Sequence, residues 1–177
     1  NQTTMTQPPA RGNRRRSRFV RDSSKRSDYP LHLIPHGLDT LESLDVMGFA
    51  THQQLKRLLF ESPARSVRSA NRQADKALRT LWESRFVDRV PVILRARGTG
   101  LGYQSFVNVL AAKGLTELRR HHQINHLPPV RTARPRSRIS NQTIDHSLAI
   151  NDVYVILKCA TSHNDVALTH WLDDRLL

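Results

Sequence analysis

The spacing of leucines predicts a first helix that begins near residue 38, since leucine recurs at every third position from 38 to 44. Asp39 and Glu42 have the spacing of a capping box, a reciprocal pair of hydrogen bonds that begins a helix. Gly48 is suited to end the helix, because glycine readily adopts the left-handed conformation found there. Residues 49–50 then predict a short extended piece.

A second helix is predicted from Thr51, because Thr51 and Gln54 have the Thr-x-x-Gln spacing of a capping box. Three leucines between residues 55 and 59 supply one apolar face. The helix should end before Pro63, since the residue preceding a proline disfavours the helical conformation.

A third helix is predicted from residues 64–69 to Arg85, with Ala74, Leu78 and Leu81 on one core face. At about 100° per residue, the opposite face is strongly basic. Like charges at these spacings repel and weaken an isolated helix, so a stripe of one sign predicts a polyanionic partner. The predicted stripe contains Arg65, Arg68, Arg72, Lys76 and Arg79.

A hairpin follows, because residues 86–94 and 103–110 are two strand-like stretches rich in Val, Ile, Phe and Tyr. The segment between them has glycines at alternate positions, which suit a hairpin tip with positive backbone dihedrals. Arg95 and Arg97 are expected to project from this tip. The order helix, short strand, helix, helix, hairpin is that of a winged helix-turn-helix, so the predicted fold is mainly α with a small β-hairpin.

In a winged helix-turn-helix the third helix reads the major groove, and the wing touches the backbone or the minor groove. We therefore expect Arg68 and Arg72, with Ser69 and Gln73 beside them, to meet base edges. The expected phosphate contacts are Lys76, Arg79, Arg95 and Arg97.

Charge is distributed unevenly along the chain, which has 177 residues and a net charge of +13. Residues 1–138 hold 26 basic and 10 acidic side chains, whereas residues 139–177 hold 2 and 5. A field of this size favours nucleic acid as the partner. Residues 1–36 are predicted to be a basic, disordered arm, because they cannot bury enough apolar area to fold. Its expected auxiliary phosphate contacts are Arg14, Arg15, Arg16 and Arg18.

The domain organisation predicted from these patterns places the winged helix-turn-helix at 37–120 and a linker rich in proline and arginine at 121–142. His122 and His126 in the linker have an i, i+4 spacing, but no carboxylate or third ligand lies near them in the sequence. We therefore expect no metal site and no cofactor.

Residues 143–177 are predicted to begin a second, α/β domain with a helix from about 143 to 161 and a strand at 166–177. Four acids of this segment could be taken for a metal site, but we expect them to be ordinary capping and strand-end charges; they are Asp145, Asp152, Asp173 and Asp174. The helix is expected to be largely buried through Leu148, Val153, Val155, Ile156, Leu157 and Ala160.

Several classes of protein are excluded by composition. The lone Cys159 permits no internal disulfide and no four-cysteine zinc site. No apolar run approaches the roughly 18–20 residues of a membrane span, and no apolar stretch follows the basic N-terminus as in a secretory signal. We expect a cytoplasmic, nucleoid-associated protein with no membrane partner.

Two stretches resemble the replication-relaxation proteins of plasmids and other mobile elements. His146 to Val153 resembles the family's His-x-Leu-x-x-Asn-Asp-hydrophobic helix, and Trp171 to Asp174 resembles the strand that follows it. Val107 to Gly114 matches loosely the Tyr-x-Leu-Thr-x-Arg-Gly pattern at the end of the family's winged helix, with Lys for Arg and Ala for Thr. The resemblance covers 37–177 and implies DNA binding in plasmid replication or transfer, with no catalytic residue to carry over.

The leading hypothesis is a winged-helix protein that binds double-stranded DNA in the replication, mobilisation or transcriptional control of a mobile element. We expect it to be no enzyme, to form a homodimer that matches two half-sites, and to work with replication or transfer proteins. One alternative is a DNA nuclease, or its DNA-holding subunit, with carboxylates near the C-terminus binding a metal. A second is a basic RNA-binding or ribosome-associated protein, which the low aromatic content of 6% disfavours.

Overall fold

A computed structural model describes residues 29–95, 102–122 and 141–161, together with Leu168 and Trp171. These residues form five α-helices, three strands and a short 3-10 turn at Leu31–Leu33. The elements in chain order are α1 (Gly37–Met47), β1 (Phe49–Ala50), α2 (His52–Leu59), α3 (Val67–Glu83), β2 (Val87–Arg95), β3 (Gly102–Leu110), α4 (Ala112–His121) and α5 (Asn141–Thr161).

Helix α1 begins differently from the sequence prediction. Its N-cap is His36, which adopts a left-handed conformation with φ of 53° and makes no side-chain capping bond. The predicted capping box of Asp39 with Glu42 is therefore wrong, and the Asp39 carboxylate instead contacts His36 Nδ1 at 2.9 Å. Gly37 allows the early start, because a Cβ there would lie 2.8 Å from the Leu31 carbonyl oxygen. The predicted stop is confirmed, since Gly48 is the C-cap with φ of 70°.

Helix α2 has the predicted capping box. The Thr51 N–H donates to Gln54 Oε1 at 2.9 Å, and the Gln54 N–H donates to Thr51 Oγ1 at 3.2 Å. Leu55 is fully buried, and the helix ends at Leu59, before Pro63. The sequence spacing was sufficient here because both partners of the capping box are local.

Helix α3 begins at Val67, two residues after Arg65, the first residue of the predicted basic stripe. Ser66 is the N-cap and its hydroxyl accepts from the Ser69 N–H at 3.3 Å. Arg65 consequently lies outside the helix, which corrects its place in the stripe. The expected core face is confirmed, because Ala74, Leu78 and Leu81 are all at most 1% exposed.

The three strands form one antiparallel sheet in the order β1-β3-β2. Strands β2 and β3 form the predicted hairpin, with Val90 opposite Val107 and Arg95 opposite Gly102. The short β1 pairs with the end of β3, placing Phe49 opposite Val109. The hairpin tip at 96–101, including Arg97, lies outside the described residues.

Helix α4 was not predicted from the sequence, although it contains the Lys-Gly pair of the family pattern. Gly114 packs so closely on the residue before β2 that a Cβ would lie 2.1 Å from the Phe86 carbonyl oxygen. That oxygen also accepts the Ala111 N–H at 3.1 Å, and Lys113 Nζ lies 4.5 Å from the centre of the Phe86 ring. The Lys-Gly pair therefore lies at a close contact between the start of α4 and the residue that precedes β2.

Helix α5 confirms the predicted helix but not its predicted buried positions. Leu148 and Val155 are buried, whereas Val153, Ile156 and Leu157 are 50%, 48% and 41% exposed and Ala160 is exposed too. The buried side chains recur at intervals of three and four along one face, and the other apolar residues lie on the opposite face. The buried face consists of Ile144, Ser147, Leu148, Asn151, Tyr154 and Val155.

Helix α5 contributes to two apolar clusters. Ile144 and Leu148 cover one face of the sheet, while Tyr154 and Val155 join the main core of α1, α2 and α3. The strand predicted at 166–177 lies outside the described residues except for Leu168 and Trp171, and neither of these is assigned to a strand. Both pack against the main core. Within the described ranges, no helix has the length and apolarity to cross a membrane.

The close approach at Gly114 gives the first prediction. Gly114→Ala should destabilise the protein by about 1–3 kcal/mol, because the added methyl group collides with a backbone carbonyl that cannot rotate away. In a helix without this contact, alanine would be more stable than glycine by about 1 kcal/mol. The sign of the change in the free energy of unfolding therefore shows whether the close contact exists. The free energy of unfolding should be measured in urea, with the exposed Thr116→Ala in the same helix as the control. A more stable Gly114→Ala variant would contradict the close contact.

Candidate nucleic-acid interface

The face of α3 opposite the core carries four exposed cations, and we call these the α3 stripe. Arg68, Arg72, Lys76 and Arg79 follow one another at intervals of four, four and three residues, so their side chains project from the same side. Arg65 is exposed just before the N-cap, and its guanidinium donates to the Phe60 carbonyl at 3.2 Å. The structure thus brings four of the five predicted residues together on one helix.

The residues of the α3 stripe differ in how they are held. Arg79 Nε donates to Glu83 Oε1 at 2.8 Å, and this hydrogen bond with its opposite charge raises the pKa of Arg79. The pair is solvent-exposed and therefore weak, so Arg79 can exchange Glu83 for another anion. In the described part of the chain, Arg68, Arg72 and Lys76 have no ion-pair partner. Their charge is available to an anionic ligand.

Two polar residues predicted to meet base edges lie beside the stripe. Gln73 is exposed next to Arg72, and Ser69 is half-buried next to Arg68. The Ser69 N–H is held by the N-cap, which fixes the first turn of α3. Their arrangement can supply hydrogen-bond donors and acceptors between the charged side chains.

A contact between α2 and α3 was missed by the sequence analysis. His52 Nε2 lies 3.3 Å from Asp75 Oδ1, and Asp75 projects from the same side of α3 as the stripe. Burial lowers the pKa of His52, an effect that the charge of Asp75 opposes only in part. Neither residue belongs to a local motif, so only the packing of the two helices shows that they meet.

A cation also joins α3 to the hairpin. The guanidinium of Arg89 on β2 lies 4.6 Å from the ring centre of Trp82 and 4.8 Å from that of Phe106. Such contacts over aromatic faces stabilise a packed guanidinium. They fix the base of the hairpin against the C-terminal end of α3. Arg95 ends β2 on the same hairpin, so the described strands carry it to the edge of the predicted tip.

The Asn-Asp pair of the family pattern binds the turn between α1 and α2. Asn151 is 1% exposed, and its Nδ2 donates to the Phe49 carbonyl at 2.7 Å and the Met47 carbonyl at 3.4 Å. Asp152 Oδ1 accepts from Gln54 Nε2 at 2.8 Å, and the same amide group donates to the Leu148 carbonyl at 2.9 Å. Helix α5 is therefore hydrogen-bonded to the residues that cap α2.

The two carboxylates that the structure describes on α5 do not converge on one site. The Asp152 carboxylate accepts a hydrogen bond from Gln54, and Asp145 lies almost two turns earlier on α5. Asp173 and Asp174 lie outside the described residues, as do Arg14, Arg15, Arg16 and Arg18 of the arm. The sequence showed no carboxylate beside His122, but the fold brings Glu42 Oε1 to 3.0 Å from its Nε2. Glu42 was missed because it is far from His122 in the sequence.

These observations define a class of protein before any comparison is made. It has a mainly helical body with a three-stranded antiparallel sheet, and it presents a row of exposed cations on the third helix. The model of the replication-relaxation family matches residues 41–176, so the chain belongs to that family. Membership indicates a role in the replication or relaxation of plasmids or other mobile elements. The comparisons with curated proteins and with solved structures give no match.

The contact between His52 and Asp75 gives a prediction about pH. Because the folded pKa of His52 is lowered, the unfolded chain binds more protons at this site. The contribution of His52 to stability should be full above its ordinary pKa of about 6.5 and decrease as the pH falls below it. The free energy of unfolding of His52→Gln should depend less on pH in that range than that of the wild type. The exposed His32→Gln is the control, and equal pH dependence in all three proteins would contradict the prediction.

The buried amide of Asn151 gives a prediction about stability. Asn151→Ala leaves the Phe49 carbonyl buried without its donor and should cost about 1–3 kcal/mol. Asn151→Asp should cost more, because a carboxylate has the same shape but cannot donate to either carbonyl. The matched control is Lys158→Ala on the exposed face of α5. Denaturation in urea measures all three, and variants of Asn151 that are as stable as the control would show that the hydrogen bonds contribute nothing.

Proposed function

We propose that this protein is a winged helix-turn-helix protein that binds double-stranded DNA in the replication, mobilisation or transcriptional control of a plasmid or other mobile element. The observation that carries the proposal is the α3 stripe, whose Arg68, Arg72 and Lys76 have no ion-pair partner among the described residues. A row of cations that repel one another weakens a helix unless it meets an anion. Duplex DNA provides an array of anions along a groove wide enough for a helix.

The arrangement of the elements supports this proposal. Helices α2 and α3 follow the short strand β1, and the hairpin of β2 and β3 continues directly from α3. In a winged helix the second of these helices enters the major groove, and the hairpin lies beside it on the DNA. Arg89 packs against α3 and the hairpin together, so both elements would approach the duplex as one unit.

The positions along α3 separate the proposed roles of its residues. Arg68 and Arg72 lie in the first half of the helix, with Ser69 and Gln73 beside them, and the N-terminal half of a recognition helix usually reads base edges. Lys76 and Arg79 would bind phosphates from the second half. The other proposed phosphate contacts are Arg95 and Arg97 of the hairpin and Arg14, Arg15, Arg16 and Arg18 of the arm.

In this proposal the protein catalyses no reaction and binds DNA as a homodimer. Phosphate contacts supply affinity for any duplex, whereas the residues at the start of α3 supply selectivity. A homodimer would place two α3 helices in successive major grooves of a site with two half-sites. Replication or transfer proteins would then assemble on the bound DNA.

The roles of Arg72 and Arg79 are tested by separate substitutions on a site selected from random duplexes. Arg72→Ala should lose about 1–3 kcal/mol on the selected site and bind it little better than random DNA, because a base contact is removed. Arg79→Ala should weaken binding to all duplexes similarly and reduce the slope of log K against log salt by about one unit. Fluorescence anisotropy at several salt concentrations measures both effects.

Arg120→Ala is the matched control for this experiment. Arg120 is an exposed arginine on α4, and like Arg79 it forms an ion pair with a glutamate about one turn away on its own helix. It should leave binding nearly unchanged. If Arg72→Ala and Arg79→Ala bind selected and random duplexes as the wild type does, the α3 stripe is only a solvated face and the proposal fails.

A further inference from the structure

Three side chains with metal-ligand chemistry meet where α1 packs against the end of α4. They are Glu42 on α1, His121 at the last position of α4 and His122 at its C-cap. One potential ligand atom of each lies within 4.8 Å of the other two. Glu42 Oε1 and His122 Nε2 are 3.0 Å apart, and the two imidazole rings face each other edge-on with centres 5.4 Å apart. We call this group the α1–α4 cluster.

The fold brings these three residues together, and the sequence does not. Glu42 and His121 lie far apart in the sequence, but α1 and α4 pack directly on each other. Leu118, one turn before the histidines, is buried in the main core, and the His122 N–H donates to its carbonyl at 3.0 Å. The backbone that carries both histidines is therefore held in place by the core beneath it.

We propose that the α1–α4 cluster binds a Zn²⁺ ion, with water completing the coordination. Two imidazole nitrogens and a carboxylate oxygen form a ligand set that suits zinc, whereas Mg²⁺ and Ca²⁺ prefer oxygen ligands alone. In a tetrahedral zinc site the ligand atoms lie about 3.3 Å apart, so no separation in the cluster has to shorten by more than about 1.5 Å, and that of Glu42 from His122 has to lengthen slightly. Both histidines are exposed and can rotate to achieve this.

The charges around the cluster have opposing effects on a cation. The Asp45 carboxylate, one turn after Glu42 on α1, is close enough to His122 to interact with it electrostatically and would attract the ion. Arg119 interacts with the same carboxylate and would oppose binding. Burial raises the pKa of Tyr154, and the nearby charge of Glu42 adds to this effect, so this hydroxyl group opposes no cation. The carboxylates of Glu42 and Asp45 together outweigh the one arginine, so the charge around the cluster favours a divalent ion.

A bound ion would join α1 to the C-terminal end of α4. Because the ligands come together only in the folded protein, binding should stabilise the fold. With free Zn²⁺ at 100 times its Kd, the melting temperature should rise by roughly 5–10 °C for a chain of this size. The site lies on α1 and α4, so its binding does not depend on whether the α3 stripe binds DNA.

The test is calorimetric titration of the metal-free full chain with Zn²⁺, together with thermal denaturation. The wild type should bind a single ion at the cluster and melt at a higher temperature with zinc. His121→Ala, His122→Ala and Glu42→Gln should each bind at least about tenfold more weakly and lose at least about half of the rise in melting temperature at the same zinc concentration. His121→Ala is the safest of these variants for folding, since its side chain is exposed and forms no ion pair with another described residue.

The matched control is His32→Ala, which removes an exposed histidine far from the cluster in sequence and should bind zinc like the wild type. Circular dichroism without zinc checks that each variant is folded. A wild type that fails to bind Zn²⁺ would overturn the proposal. So would binding that survives Glu42→Gln but is lost in His126→Ala, because the ion would then bind to the segment after α4 instead.

Discussion

Two backbone carbonyls, those of Met47 and Phe49, are buried where α1 gives way to the sheet, and a buried carbonyl needs a donor. The side chain of Asn151 supplies it from a helix about a hundred residues away in the sequence. The adjacent Asp152 binds Gln54, whose other hydrogen bonds cap α2. The direction in which α2 leaves this turn, and with it the position of α3, depends on these few hydrogen bonds. Asn151 and Asp152 therefore help to position the helix that carries the α3 stripe.

The fixed frame allows α3 to carry a charge distribution that would destabilise it in isolation. Its buried face, centred on Ala74, Leu78 and Leu81, fixes the helix against the core, so repulsion along the exposed face of a few tenths of a kcal/mol per pair is tolerated. Asp75 and Glu83 neutralise part of that face, but the first half of the helix keeps its unpaired arginines. The imbalance is thus concentrated where a recognition helix would meet base edges.

Local sequence signals predicted the parts of the fold that local interactions decide. The capping box at Thr51 and the two strands of the hairpin are examples, because each depends on neighbouring residues or on strand periodicity. Helix α4 was missed, and the start of α1 at His36 depends on a glycine packed against another segment. The contacts of Glu42 with His122 and of Asn151 with β1 join distant parts of the chain, so no spacing in the sequence could reveal them.

The face of the protein that meets DNA can be measured directly by photo-crosslinking from single cysteines. Gln73→Cys places the probe beside the α3 stripe, and Ala149→Cys places a second exposed probe on α5, with the unsubstituted protein reporting the background from Cys159. The account predicts crosslinks to duplex DNA from residue 73 well above background and none above background from residue 149. Crosslinks from residue 149 alone, or equally from both, would contradict it.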